Sequence, residues 1–351
     1  MALRGIEGWS GYTGLTYTTF ENILQAKWPG SYWMDDSTVS TDSDRFPSED
    51  VWRPTDSGSE AWVFDLLDNP EEIACGLYLK SNSGSSSRNN FYPIITINNG
   101  SYAHIQIEAS PIDIRVKLLH SSTVVATFYS VLEARRWNLI ELKAKVHDTT
   151  GYWEIYVNGV LIGSNTGIDT KYSTYNVNQV RFHGGLAYNK IGDTYCCDLT
   201  GSKNNDVLGP FHIQGILPNA NGDDSDWTPS ANADNYTMVN DVTANESDYV
   251  ESGTPADQDL YNYENLSGTW DEIFGLQINT RLFMDSANSE TIAVLCSSNS
   301  TEDSANFTAN NDSVGMGDEA QFMRILENDP DTSNAWDPTD IDSAQFGVKF
   351  I

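Results

Sequence analysis

The hydrophobic and polar positions of this chain alternate over short stretches that are separated by turn-forming residues. The clearest case is 136–167 (RWNLIELKAKVHDTTGYWEIYVNGVLIGSNTG). Residues 139–146 alternate between two faces and residues 153–157 do so again, and a period of two is that of a β-strand. Asn158-Gly159 then predicts a tight type I′ hairpin turn. This region is therefore predicted to form a β-hairpin with one buried face.

Further short strands, each bounded by turn residues, are predicted along the whole chain. They cover 74–81, 92–99, 102–109, 113–120, 124–131, 177–185, 195–202, 211–217, 273–286, 291–300, 320–326 and the C-terminal residues. Only 19–28 (TFENILQAKW) and 70–77 (PEEIACGL) are predicted to be short helical turns. Many short strands with almost no helix predict an all-β fold, with two antiparallel, jelly-roll-like β-sandwich domains in tandem.

The charged residues divide the chain near residue 205. Residues 1–205 contain 16 basic and 23 acidic residues, whereas 206–351 contain 3 basic and 27 acidic residues. We therefore expect a β-sandwich domain over 1–205 and an acidic β-sandwich domain over 206–351. A net charge of -31 repels DNA, RNA and anionic lipid, so we expect no nucleic-acid partner.

Neither the apolar stretches nor the cysteines indicate membrane insertion or secretion. No apolar stretch reaches the roughly 20 residues that span a bilayer, and the start MALRGIEGWSGYTG has no signal-peptide pattern. Cys75, Cys196, Cys197 and Cys296 do not have the spacing of a disulfide framework or a zinc site. We therefore expect synthesis and assembly in a reducing cytoplasm, without membrane insertion.

The hairpin at 136–162 resembles a motif of a known sandwich family. Trp137 precedes a strand of alternating apolar and Glu/Lys residues (LIELK), and the next strand ends in Val157-Asn158-Gly159. This arrangement resembles the hairpin of the laminin-G or concanavalin-like jelly roll, and at the level of the fold the resemblance covers 1–205. Such sandwiches serve as lectins, adhesion modules, glycanases and structural modules, so the resemblance implies a fold and leaves the function open.

Residues 206–351 carry a second resemblance. Their motifs include ILPNANGDDSDWTPS, NYTMVND, DYVES and the ending NDPDTSNAWDPTDIDSAQFGVKF. In this order they resemble a β-sandwich module of virion proteins of tailed bacteriophages, which commonly follows a laminin-G-like domain. On this resemblance, the acidic, tyrosine-rich stretch 232–267 is a folded meander of short edge strands and loops. Its tyrosines would pack on the sandwich and its carboxylates would stay in water.

The sequence contains no residue arrangement typical of a catalytic or cofactor site. A retaining glycosidase needs two carboxylates about 5 Å apart, and 136–143 and 270–274 each place at most one carboxylate on a strand face. The five histidines have no metal-ligand spacing, and no catalytic triad, phosphate loop or nucleotide motif is present. We therefore expect no enzymatic activity, no metal site and no cofactor.

Oxygen-bearing residues stand at nearly alternate positions of 219–226 (NANGDDSD), around Gly222, as they do in a calcium loop. A full hand-type loop requires a bidentate Glu at the position where this chain has Ser230. The segment is therefore predicted to be a solvated acidic turn.

Trp28, Tyr32 and Trp33, in KWPGSYWMDD, are candidate ligand-binding residues. Pyranose faces present C–H groups that stack on aromatic rings, so this cluster would suit a sugar platform. The alternative is that the three rings fix the N-terminal loop onto the core.

These features together predict a non-enzymatic structural protein of a tailed phage particle, located in the virion after assembly in the host cytoplasm. The expected place is the tail, fibre or baseplate, with a role in binding a host-surface glycan. One alternative is a capsid decoration or head-fibre protein, and another is a carbohydrate-binding or glycan-degrading module. The expected partners are other virion proteins and further copies of this chain in a symmetric array.

Overall fold

The computed structural model describes residues 2–9, 38–42, 49–53, 61–66, 68–82, 90–100, 102–184, 189–241, 247–283, 290–309 and 319–351. The chain divides into two compact units, Met1–Ile213 and Gln214–Ile351, which we call unit 1 and unit 2. The domains 1–205 and 206–351, taken as separately folding modules, stay a prediction. In the described ranges, no helix is long and apolar enough to cross a membrane.

Unit 1 is built from antiparallel strands. They are β1 (Leu3–Glu7), β2 (Thr38–Asp42), β3 (Glu49–Arg53), β4 (Ala61–Asp65), β5 (Glu72–Lys80), β6 (Tyr92–Asn99), β7 (Tyr102–Ala109), β8 (Ile114–Leu118), β9 (Thr123–Phe128), β10 (Trp137–Lys145), β11 (Gly151–Val157), β12 (Val160–Ile168), β13 (Gln179–His183) and β14 (Lys190–Cys197). Sheet A has the order β12-β11-β10-β5-β14-β3-β2, with β1 also paired to β14, and sheet B has the order β4-β13-β6-β7-β8-β9.

The core of unit 1 lies between sheets A and B and is rich in aromatic residues. Trp52 of sheet A and Trp62 of sheet B are fully buried, and the Trp9 ring lies 5.5 Å from the first and 5.4 Å from the second. Trp62 also stacks on Phe182 of β13 at 5.2 Å. Large buried rings dominate core energetics, so this cluster fixes how the two sheets pack.

Residues 206–213 pack against the outer face of sheet A. The backbone N–H of Gly209 donates to the buried Glu141 carboxylate at 2.9 Å, and the Tyr195 hydroxyl donates to the same oxygen at 2.7 Å. The Phe211 ring lies 5.0 Å from the Tyr195 ring. Through these contacts the end of unit 1 is bound to its own sheet.

Unit 2 contains the remaining strands. They are β15 (Pro218–Ser225), β16 (Thr228–Pro229), β17 (Val250–Glu251), β18 (Gln258–Tyr263), β19 (Leu276–Phe283), β20 (Glu290–Ser298), β21 (Thr301–Ala309), β22 (Glu319–Leu326) and β23 (Gln345–Phe350), with a 3₁₀ turn at Asn235–Met238 and a short helix at Pro338–Ser343. The main sheet has the order β15-β18-β23-β20-β21, and β19 pairs with β22, as β16 does with β17.

The acidic, tyrosine-rich stretch 232–267 is held by a buried carboxylate. Asp259 accepts hydrogen bonds from the Trp227 backbone N–H at 2.9 Å, from Asn235 Nδ2 at 2.7 Å and from the Tyr261 hydroxyl at 2.8 Å. Burial raises the pKa of Asp259, although these donors act in the opposite direction. The described part of this stretch is therefore folded, with Tyr261 buried as predicted. The expectation that its carboxylates stay in water is wrong for Asp259, which is buried, and Tyr249 is exposed rather than packed.

The predicted all-β, antiparallel sandwich class is confirmed. The hairpin turn is also confirmed, because Val157 pairs with Val160 and the two residues between them have the positive φ values that a type I′ turn requires, 50° at Asn158 and 77° at Gly159.

Two local predictions are wrong. Residues 70–77 are not a helical turn, because residues 72–80 form β5, which pairs with β10 on one side and β14 on the other. Residues 211–217 are not a strand, since they have no ladder partner and Phe211 packs on sheet A instead. The helical turn predicted at 19–28 lies outside the described residues.

Candidate functional site

The outer face of sheet B carries a row of polar side chains that crosses four neighbouring strands. The register aligns Arg181 of β13, Thr96 of β6, Gln106 of β7 and Lys117 of β8. Because alternate side chains lie on opposite faces of a strand, these four face away from the apolar core. We call the outward-facing polar residues of sheet B the polar face: Asp65, Thr96, Asn98, Gln106, Lys117, Gln179, Arg181 and His183.

A hydrogen-bonded chain occupies the centre of the polar face. Gln106 Nε2 donates to Thr96 Oγ1 at 3.2 Å, and Thr96 Oγ1 lies 3.0 Å from His183 Nε2. Burial lowers the pKa of His183 to about 3, and the charge of Arg181 acts in the same direction, so the imidazole is neutral near pH 7. His183 Nδ1 is buried and has no hydrogen-bond partner among the described residues. Such atoms are rare and costly in folded proteins, so Nδ1 is a group that a ligand would satisfy.

A second network lies beside the first, towards β4. Gln179 accepts from Arg181 Nη2 at 2.9 Å and donates to Asp65 at 2.8 Å. Asn98 Nδ2 donates to the Gly100 carbonyl at 3.2 Å, while Asn98 Oδ1 is buried and has no partner in the part of the chain that the structure describes. Burial raises the pKa of Asp65, although the Gln179 hydrogen bond and the Arg181 charge oppose it. Asn98 Oδ1 is thus a second polar atom of the polar face, after His183 Nδ1, that lacks a hydrogen bond to any described residue.

Two basic residues of β8 lie on the same side of sheet B. Arg115 forms an ion pair with Glu108 and lies over the Phe91 ring, 4.4 Å from its centre. Lys117 is partly exposed and forms no ion pair with any described residue. The Lys117 ammonium is therefore a charged hydrogen-bond donor on the polar face that is not ion-paired with a described carboxylate.

An exposed aromatic stack lies at one end of β7. Tyr102, which lies opposite Asn99 of β6 beyond a register shift, stacks on Tyr172 at 5.0 Å and on Tyr175 at 4.3 Å. Tyr102 and Tyr175 are each 37% exposed. The backbone N–H of Tyr172 donates to His104 Nδ1 at 2.9 Å, and burial lowers the pKa of His104 to about 4. These contacts fix the loop that carries two of the three rings.

Unit 2 contains an acidic cleft of about 350 Å³. Its lining residues are Asp223, Ser297, Ser298, Asn299, Ser300, Asp329, Asp331, Asp340, Ser343 and Gln345. Burial would raise the pKa of Asp329, but hydrogen bonds from Ser298 and Thr332 lower it below its ordinary value. Asp331 accepts from Asn299 at 3.1 Å and from Thr301 at 2.7 Å. These two carboxylates thus accept hydrogen bonds from the chain itself, and no group of three or more potential metal ligands occurs among the described residues.

The structure describes only part of the sequence-predicted candidates. Trp28, Tyr32 and Trp33 lie outside the described residues, so the sugar platform they would form stays a prediction. Residues 219–226 are not an acidic turn, because 218–225 form the edge strand β15 and pair with β18. The backbone N–H of Tyr236 donates to Asn221 Oδ1 at 2.9 Å, which occupies one oxygen of the supposed calcium ligands.

Sequence reasoning did not find the polar face. Its only signal in the sequence is that polar residues alternate with isoleucine in 94–98 and 104–108. That alternation predicts two half-buried strands, but it does not reveal that Arg181 and Asp65 belong to the same sheet.

No protein-family model and no curated protein matches the chain. Solved structures do match its fold. An endo-β-1,4-glucuronan lyase from the fungus Trichoderma reesei is 14% identical, with 52% of this chain and 95% of that chain covered and a TM-score of 0.38. A carbohydrate esterase from the Shiga toxin-encoding bacteriophage phi24B is 11% identical, with 55% of this chain and 99% of that chain covered and a TM-score of 0.33. The CBM40 of a Ruminococcus gnavus sialidase, bound to α2,3-sialyllactose, is 16% identical, with 40% of this chain and 79% of that chain covered and a TM-score of 0.29.

These neighbours are carbohydrate-active or carbohydrate-binding β-sandwiches, and one of them comes from a phage. At such low identity the likeness concerns the fold and assigns neither a substrate nor a reaction. It does overturn one expectation. The chain was expected to have no enzymatic activity, but the matched sandwiches include a lyase and an esterase, so this fold gives no ground for excluding catalysis.

Proposed function

We propose that the chain is a glycan-binding protein and that the polar face of unit 1 holds the saccharide. The observation that carries the proposal is the hydrogen-bonded network on the outer face of sheet B, with His183 Nδ1 and Asn98 Oδ1 buried and unsatisfied. Thr96, Asn98 and His183 are buried although they lie on the outer face of sheet B. Atoms of this kind point to a ligand that supplies the missing hydrogen bonds.

The chemistry of the polar face suits a sugar. A sugar hydroxyl both donates and accepts hydrogen bonds, and the face offers an amide at Gln106, an ammonium at Lys117 and an imidazole nitrogen at His183. Gln106 and Lys117 are directly opposed on neighbouring strands, where Cβ atoms lie about 5 Å apart. The rigid sheet therefore holds them in place before the ligand arrives, which lowers the entropic cost of binding.

The test is a binding measurement on the full chain. An array of bacterial surface polysaccharides and their oligosaccharide fragments identifies the strongest binder, and calorimetry then gives its affinity. We expect Gln106→Ala and Lys117→Gln each to weaken binding about tenfold, the effect of one lost hydrogen bond to a ligand. Both side chains are partly exposed, so both variants are expected to fold.

Lys143→Gln is the matched control. It removes the same charge from the outer face of sheet A, where Lys143 Nζ lies 3.0 Å from Asp206. An equal loss in this variant would attribute the effect to net charge. Full binding by both polar-face variants would place the site elsewhere, and no binding to any member of the array would contradict the proposal.

The same incubations can be examined for turnover. Release of reducing ends or of unsaturated sugars from a bound polysaccharide would add a reaction to the binding function. Loss of that release in His183→Gln, with binding retained, would place the reaction at the polar face.

We further propose that the chain is a structural component of a tailed phage particle, in the tail, fibre or baseplate, with other virion proteins as partners. The support is the sequence resemblance of residues 206–351 to the phage β-sandwich module. Two of its most characteristic motifs, DYVES and AQFGVK, coincide with the β17 and β23 regions of unit 2.

Cryo-electron microscopy of intact particles tests this placement. Density for the chain at the tail tip or fibres is the expected result and would connect the glycan site to host recognition. Density on the capsid lattice would support the decoration-protein alternative instead, and absence of the chain from the particle would contradict a virion role.

A further inference from the structure

Exposed apolar side chains of unit 1 concentrate at one side of the sandwich. On β9 and just after it, Val124 is 42% exposed, Val125 37% and Tyr129 73%. On β12, Val160 is 63% exposed and Leu161 48%. β9 is the last strand of sheet B and β12 is the last strand of sheet A. Large apolar patches on a soluble protein commonly mark a contact with another molecule.

The two edge strands meet in space. The Phe128 ring of β9 lies against Gly163 of β12, where an added Cβ atom would overlap it. The same ring lies 6.4 Å from the buried Trp153 ring of β11. Phe128 therefore closes the sandwich at this side, and exposed apolar residues lie on both of the edge strands that it joins. We call 118–132 and 155–168 the edge strip.

The edge strip contains one histidine, His120, and otherwise lacks the charged residues that are common in this chain. One residue in five of the whole chain is charged, yet neither segment of the edge strip contains an Asp, Glu, Lys or Arg. The other four outer strands of the three large sheets each contain acidic residues. These are Asp42 in β2, Asp65 in β4, Asp223 and Asp224 in β15, and Glu302 and Asp303 in β21.

Charges on outer strands normally prevent unwanted association between sheets. The edge strands β9 and β12, on the same side of unit 1, lack acidic residues. The edge strands β2, β4, β15 and β21 contain them. The pattern is therefore specific to one surface and does not follow from the composition of the chain.

We propose that the edge strip is the contact surface between two copies of this chain. Each copy has a net charge of -31, so contact through most of the surface would bring acidic groups together. The two segments of the edge strip contribute no carboxylate to such a contact, and the charged residues paired with them on the neighbouring strands are Arg115, Lys117 and Glu154. A two-fold axis through it would place the same apolar residues of both copies against each other and would close the assembly as a dimer.

The geometry of β12 favours contact through side chains over a continuous sheet. Its pairing with β11 has register shifts at two points, between Gly151 and Tyr152 and between Ile155 and Tyr156. Such bulges bend an edge and interrupt the row of free backbone groups. The contact is therefore a packed apolar patch, which does not propagate into fibres.

Sedimentation velocity of the full chain over a concentration series tests the proposal. We expect a monomer–dimer equilibrium in the wild type. Leu161→Lys and Val125→Lys, which place an ammonium in the strip, should each raise the dissociation constant about tenfold or more, because they remove apolar contact and bury a charge.

Val239→Lys is the matched control. Val239 lies in unit 2 and is 36% exposed, so the substitution makes the same change of charge at a comparable exposure. Thermal melting of each variant shows that it is folded. A wild type that stays monomeric over the whole series, or an equal effect of Val239→Lys, would overturn the proposal.

Discussion

Gly347 in the central strand β23 shows how closely the strands of unit 2 approach each other. A Cβ atom at this position would overlap the carbonyl oxygen of Asp259 in β18. Backbone cannot move aside as a flexible side chain does, so Gly347→Ala would force two paired strands apart. We expect the substitution to reduce the free energy of unfolding by about 3 kcal/mol or more, as measured by urea unfolding followed by tryptophan fluorescence.

Gly253→Ala is the control for that measurement. No atom lies within 4 Å of a Cβ atom added there, so we expect a change within about 0.5 kcal/mol. Equal stabilities of Gly347→Ala and the wild type would show that the described spacing of β18 and β23 is incorrect.

The buried carboxyl of Glu141 gives unit 1 a dependence on pH. Burial raises its pKa, while hydrogen bonds from Tyr195 and Gly209 only partly oppose the shift. Its second oxygen is buried, with no hydrogen-bond partner in the described ranges. Because the pKa of Glu141 is higher in the folded than in the unfolded state, its carboxyl stays protonated to a higher pH when the protein is folded. Glu141 therefore lowers stability as pH rises from about 4.3 through the folded pKa.

Glu141→Gln keeps an acceptor for Tyr195 and Gly209 and removes the titration. We expect the stability of the variant relative to the wild type to increase with pH over this window and to be constant below it. Urea unfolding at a series of pH values measures the difference. Glu133→Gln, at an exposed position, controls for the loss of one negative charge. A difference that does not vary with pH would contradict the account.

At the scale of single elements, the strands of both units shield the cysteines. Cys75 of β5 pairs in register with Cys196 of β14, and all four thiols are buried and free of disulfides. Burial raises the pKa of Cys75 and of Cys196, and it raises that of Cys296 to about 12. The thiolate is the reactive form, so these residues should be inert in the folded protein.

We therefore expect no reaction of the native protein with Ellman's reagent on the timescale of minutes, and four thiols titrated after denaturation in guanidinium chloride. Rapid reaction of one thiol before denaturation would contradict its burial in the native protein.

The sequence predicts best those strands whose two faces differ. Residues 139–157 alternate clearly because one face contacts the core, and the observed β10–β11 hairpin matches the prediction. The outer strands β15 (PNANGDDS) and β21 (TEDSANFTA) have no such alternation, since almost none of their described residues is buried. Their strand conformation comes from pairing with β18 and β20, which local sequence does not specify.

Residues 70–77 illustrate the opposite error. The apolar run that follows two glutamates is compatible with a helical turn or with a buried strand, and periodicity alone does not distinguish them. The strand conformation is stabilised by pairing with β10 on one side and β14 on the other. The polar face escaped prediction for a related reason, because Asp65, Thr96 and Arg181 become neighbours only through long-range pairing.

At the scale of the whole molecule, net charge opposes association. Two copies, each with a net charge of -31, repel each other. Salt screens this repulsion, and its range is about 10 Å at 0.1 M ionic strength. The edge strip has no ion pairs that salt would weaken. We therefore expect the dimer dissociation constant to fall as sodium chloride rises, measured by sedimentation velocity. A dissociation constant that increases with salt would indicate that ion pairs hold the copies together.

The central claim is that a glycan binds the polar face, and histidine NMR tests it most directly. In a chain with labelled imidazoles, the strongest-binding fragment from the polysaccharide array is titrated while the ring signals are recorded. We predict that the His183 signals shift with saturation, because the ligand supplies a partner for Nδ1. The signals of His147, whose ring accepts backbone N–H groups of the loop before β11 at 3.1 Å, should not move. Calorimetric binding with His183 unchanged would contradict the claim.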